Sequence, residues 1–138
     1  MIVDDEKLEI KKVYAPFIIR HHSRDTYIEI VSEDSKSIIF AFNREEFNPK
    51  QLEKNKEIDL KKFIYSDVEL VTNETYYLFD LTKDKISLVR LDNNIFNLKV
   101  NIENPDMIYS PLSKTASFKN LIIDTNFSFI YEVNDMND

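Results

Sequence analysis

Both histidines of the chain stand side by side in the stretch FIIRHHSRD, residues 17–25, with an arginine on either side. Imidazoles move protons near neutral pH and bind metals, and guanidinium groups hold phosphate or carboxylate through paired donors in one plane. The apolar lead-in Phe17-Ile18-Ile19 reads as a strand, and on a strand neighbouring side chains point to opposite faces. His21 and His22 therefore cannot converge on one metal ion, for which a spacing of two on a strand or four on a helix is needed. His21 falls on the face of Phe17 and Ile19, at the margin of a core. Arg20, His22 and Arg24 fall on the other face, a basic strip that defines an alternative site for an anion, with His22 as the group that would move protons. The more ordinary reading pairs this strip with Glu29 or Glu33 across a hairpin spanning residues 17–32. No catalytic residue is assigned.

The carboxylates give no stronger pattern. Glu33 with Asp34, Glu45 with Glu46, and Asp67 with Glu69 supply acids, but glycoside hydrolysis needs two carboxyls converging across a sugar, and tryptophan, the broadest sugar platform, is absent. The acids around DLTKD (80–84) lack the glycine turn and dense ligand repeat of a calcium loop. Neither a metal nor a cofactor is expected. Cysteine is absent, which removes thiolate catalysis, disulfides and cysteine-ligated metal centres. Glycine is absent as well. Phosphate-binding loops, dinucleotide fingerprints and nucleophile elbows depend on glycine for close backbone approach or positive φ, so their usual forms are excluded. Turns must then draw on Asn and Asp, which tolerate the left-handed region and which cluster in TNET, LDNN, DTNF and NPDM.

The stretch ENPDMIYSPLSKTAS, residues 103–117, reads as a long connection carrying the apolar groups Met107, Ile108, Tyr109 and Leu112. Tyr and Met are enriched in interface cores, and long loops often carry function. Together with Asp67, Glu69, Asp80 and Asp106 these residues form the candidate binding surface; the alternative is that they close an open end of the sheet. The net charge is −7, split between 12 basic and 13 acidic residues in 1–62 and 6 basic and 12 acidic residues in 63–138. Such a second half repels nucleic acid and attracts a basic protein.

The elements that must position these groups are strands. Alternation with a period of two is clearest in IFNLKVNI (95–102) and NFSFIYEV (126–133), where Ile130 alone is out of step. Further strands are read at 8–14, 17–22, 26–32, 37–43, 63–72, 75–82, 85–91 and 118–124, spaced by polar turns. The exception is FNPKQLEKNKE, where Asn48 as N-cap and Pro49 as first helical residue predict a short helix over 49–56.

The expectation is one mainly β domain over residues 1–138, an antiparallel sandwich or barrel of about eight to ten strands. The acidic start MIVDDEKLEIKK has neither the basic region nor the apolar run of a signal peptide, and no later run is long enough to span a membrane as a helix, so a cytoplasmic protein is expected. Three function classes follow: a non-catalytic inhibitor or immunity-type protein that occludes a basic partner, with no membrane or nucleic-acid partner; a small enzyme or anion-binding protein using Arg20, His22 and Arg24; and a structural or homo-oligomeric β protein built by sheet-edge pairing.

Overall fold

The computed structural model describes residues 1–3, 5–19, 24–34, 36–42, 47–63, 68–71, 76–80, 85–103, 106–109 and 119–133, with side chains for 1–3, 5–17, 27–34, 36–42, 47–63, 86–103 and 119–131. The strands in chain order are β1 (Ile2–Val3), β2 (Glu6–Lys7), β3 (Ile10–Tyr14), β4 (Pro16–Ile19), β5 (Arg24–Ser32), β6 (Ser37–Ala41), β7 (Glu57–Asp59), β8 (Val68–Val71), β9 (Tyr76–Asp80), β10 (Lys85–Asp92), β11 (Ile95–Glu103), β12 (Asp106–Tyr109), β13 (Asn120–Phe127) and β14 (Ile130–Val133). They form a six-stranded sheet in the order β2-β1-β13-β11-β10-β7 and an eight-stranded sheet in the order β12-β9-β8-β6-β5-β4-β14, with β3 also paired to β5. This is a sandwich of mainly antiparallel sheets and not a closed barrel.

The period-two pattern becomes the two inner faces. In β11 Phe96, Leu98, Val100 and Ile102 are buried while Lys99, Asn101 and Glu103 are exposed; β13 contributes Leu121, Ile123 and Phe127, and β10 contributes Ile86 and Leu88. Facing them are Ile28 and Ile30 of β5 and Ile38 and Phe40 of β6, and all of these belong to one apolar cluster. Each such side chain contributes about 1.5–3 kcal/mol of transfer free energy, so the alternating strands dominate the stability.

The predicted strand 126–133 is two strands. β13 ends at Phe127, and after Ser128 and Phe129 the chain crosses to the other sheet, where β14 runs parallel to β4. The facing pattern survives the break: Phe127 and Phe129 are buried and Ile130 is exposed. The crossing is possible because Ala15 and Pro16 interrupt the ladder that β3 and β4 together make with β5. Val13↔Ile30, Tyr14↔Glu29, Phe17↔Thr26 and Ile18↔Asp25 keep one register across the interruption. Proline has no N–H to give to that ladder, and the Ala15 carbonyl instead accepts from the Ile130 N–H at 2.8 Å. Counting such interrupted pieces, and the two- or three-residue strands β1, β2 and β7, explains why there are more strands than alternation alone predicts.

The predicted helix at 49–56 is a single 3-10 turn, Pro49–Gln51, and a second such turn covers Leu60–Lys62. The start is as expected, since the Asn48 side chain accepts from the Lys50 N–H at 3.0 Å and Pro49 occupies the first position. The continuation is prevented by Arg90. Its guanidinium donates to the carbonyls of Lys50 (3.3 Å) and Leu52 (3.0 Å), which a helix would need for itself, and also to Asn93 O at 2.8 and 3.0 Å. Bonds from a charged donor outcompete an isolated helical turn. Residues 48–59 thus become a strap pinned to the β10–β11 hairpin, closed by Asn55 N–H to Arg90 O at 2.7 Å. Beneath it Phe47 stacks on Phe42 at 4.7 Å between ring centres and lies 6.2 Å from Phe129. Positive φ occurs among the described residues at Asp5 (65°) and Asn55 (60°), the residue types a glycine-free chain has for that conformation.

Candidate functional site

Ile19 pairs with Arg24 and Ile18 with Asp25, so β4 and β5 form the hairpin that the sequence suggests. Arg20, His21 and His22 lie outside the described residues. Of the basic strip only Arg24 is among the described residues, where it opens β5 and pairs with Ile19. Glu29, on the same strand, pairs with Tyr14 and Ile39 and accepts a 2.7 Å bond from the Ser37 hydroxyl.

The predicted loop 103–117 contains a strand. β12 pairs antiparallel with β9 at the end of the eight-stranded sheet, with Asp106↔Asp80, Met107↔Phe79 and, after a bulge that leaves Ile108 without a partner in the register, Tyr109↔Leu78. Leu112 and Asp67 lie outside the described residues. Following the ladders from the buried Ile38 through Leu70 to Tyr77 identifies the core-side positions of this sheet. Met107 pairs with Phe79, in register with the Tyr77 row of that ladder. Glu69 (opposite Ile39 and Leu78), Asp80 and Asp106 take positions on the outer face. Two of the singled-out acids are therefore directly opposite one another, an arrangement in which like charges destabilise an antiparallel pair.

A second constellation, on the outer face of the six-stranded sheet, was not legible in the sequence. Ser87, Lys99 and Asp124 occupy one register row across β10, β11 and β13. Ser87 is buried and its hydroxyl donates to Glu57 Oε1 at 2.8 Å. Asp124 Oδ1 accepts from Asn97 Nδ2 at 2.9 Å, and the same amide reaches Asn126 Oδ1 at 2.8 Å. Glu57, Ser87, Lys99, Val100, Asn101, Ile122, Ile123 and Asp124 line an open depression of about 370 Å³. The only signal for it in the sequence is the polar half of IFNLKVNI, which any solvated strand face would share.

Other carboxylates serve turns. Asp34 is held below its ordinary value first by the Ser32 hydroxyl and then by Lys36, and Asp92 first by the backbone N–H of Asn93 and then by Lys54. Tyr131 is raised by burial, and Lys50 Nζ lies 4.2 Å from its ring centre. Among the described residues no group of three or more His, Cys, Asp or Glu could hold a metal ion, and no helix is long and apolar enough to cross a membrane. The chain matches no protein-family model, no curated protein and no solved structure.

Proposed function

We propose that this chain is a non-catalytic, acidic protein-binding domain that works in the cytoplasm as an inhibitor or immunity-type protein, covering a basic surface of its partner. The opposition of Asp80 and Asp106 at the end of the eight-stranded sheet carries the reading. Like charges facing each other across a ladder cost stability in the isolated protein, and a cation supplied by a partner reverses the sign of that contribution. Glu69 on the same face, Asp67 just ahead of β8, Tyr109 beside Leu78 and the net charge of −7 all favour the same kind of partner. Attraction of this type speeds encounter and weakens with salt, because exposed charges are screened over about 10 Å at 0.1 M.

The test is capture at low ionic strength with the immobilised chain, run beside Asp80→Asn/Asp106→Asn. The expected result is a basic protein retained by the parent chain, released as salt rises and bound at least about tenfold more weakly by the double variant. Retention that ignores both salt and the double substitution would sink the reading.

A further inference from the structure

The depression on the outer face of the six-stranded sheet is lined by polar groups held in place by hydrogen bonds and by the half-buried Ile122, with Val100 and Ile123 beside it. The Ser87–Glu57 bond orients Glu57 and the Asn97–Asp124 bond orients Asp124. Lys99 and Asp124 are Cα partners in the ladder, the usual setting for a cross-strand ion pair, yet no ion pair joins them. An ammonium donor and a carboxylate acceptor thus face the same space without satisfying each other.

The chemistry of that lining selects against simple ions. Glu57 and Asp124 disfavour an anion, and Lys99 between them disfavours a cation. What suits it is a group that donates and accepts at once. A hydroxyl does both, and adjacent hydroxyls on one ring would let one donate to Asp124 while the next accepts from Lys99. The Asn101 amide, exposed beside them, adds another donor and acceptor. A volume of about 370 Å³ lies at the small end of the range for small-molecule sites. We infer that this depression binds a small, neutral, polyhydroxylated ligand of the sugar type, through Lys99, Asn101 and Asp124 over Ile122. Binding without hydrolysis is meant. This inference stands apart from the acidic face of the other sheet and does not depend on it.

Titration of the full-length, isotopically labelled chain with D-glucose, D-galactose and N-acetyl-D-glucosamine, followed by backbone amide NMR shifts, tests it. Glycine and inorganic phosphate serve as ionic controls. The expected result is saturable shifts at Ser87, Lys99, Asn101, Ile122 and Asp124 with at least one sugar, at an affinity of about 1 mM, as befits an open site with no aromatic platform. In Lys99→Met and in Asp124→Asn the affinity should fall at least about tenfold, with the strand signals of the spectrum unchanged. The parent titration needs no variant to fold. Absence of saturation by every sugar up to about 100 mM, saturation by glycine or phosphate alone, or sugar shifts that both variants retain would each overturn the proposal.

Discussion

On the outer face of the six-stranded sheet the described carboxylates are engaged close to home: Glu57 accepts from Ser87, Asp124 from Asn97, and Asp59 from the Lys61 N–H at 3.2 Å. On the outer face of the eight-stranded sheet the register sets Glu69 opposite Ile39 and Leu78, and Asp80 opposite Asp106. On the first face these carboxylates have a donor beside them in the fold, and Lys99 with Asp124 is left to the proposed neutral ligand. On the second the ladder sets two acids in register, which the proposed basic partner would complete. Net charge alone would have treated the two faces alike; the register separates them.

The largest effect should come from the strap that Arg90 holds against the β10–β11 hairpin of the six-stranded sheet. Arg90→Ala leaves the carbonyls of Lys50, Leu52 and Asn93 without their donor and frees the strap, and should cost about 3 kcal/mol in urea unfolding. Arg90→Lys should recover only part of this, because an ammonium cannot span the same carbonyls as a planar fork. A loss below about 0.5 kcal/mol would mean that the strap is held by the phenylalanines beneath it. Next, Ser87→Ala removes the donor to Glu57 and should cost about 1 kcal/mol, again by urea unfolding.

The Asp80–Asp106 pair of the other sheet should respond with the opposite sign. Asp80→Asn/Asp106→Asn should raise stability by about 0.5–1 kcal/mol while weakening partner binding. A double variant that unfolds more easily than the parent would show that the two acids are satisfied within the chain, and would erase the contrast between the faces.

The smallest effect is that of pH. Asp34 is lowered from its ordinary 3.8 by Ser32 and Lys36. A carboxylate whose folded value is lowered contributes stability that is fully present above its unfolded value and lost as pH falls through the folded one. The advantage of the parent over Asp34→Asn should therefore be flat at neutral pH and disappear in acid below 3.8. Chemical denaturation of the parent and Asp34→Asn across pH reads the trend, and an advantage that persists unchanged well below 3.8 would show that Ser32 and Lys36 are not its cause.

Much of the sandwich was legible because alternation is a local property. Phe96, Leu98, Val100 and Ile102 could be assigned to a core from their spacing alone, and even Ile130 was correctly singled out as the residue facing away. The helix at 49–56 was over-read for an equally plain reason. Its cap and its proline are local signals, whereas Arg90, which takes the carbonyls a helix would use, lies about one third of the chain away in sequence. The candidate surface was legible as a set of residues but not as an arrangement: Met107, Ile108, Tyr109 and Leu112 were read on a long connection, and the strand that pairs residues 106–109 with β9 depends on a partner distant in sequence.

By itself the amino-acid sequence determined that the chain is built of half-buried strands, which residues of the strongest strands face inward, and that a glycine-dependent nucleotide loop or a cysteine site has no place in it. These follow from residue type and from a period of two, which need no knowledge of neighbours. The tertiary structure alone decided that β14 leaves its apparent strand to join β4, that Asp80 meets Asp106, and that Lys99 faces Asp124 across an open space. Every extended strand offers the same row of N–H and C=O groups on its edges, so the choice of partner is not encoded locally. It is settled by which pairing buries all the inward faces together.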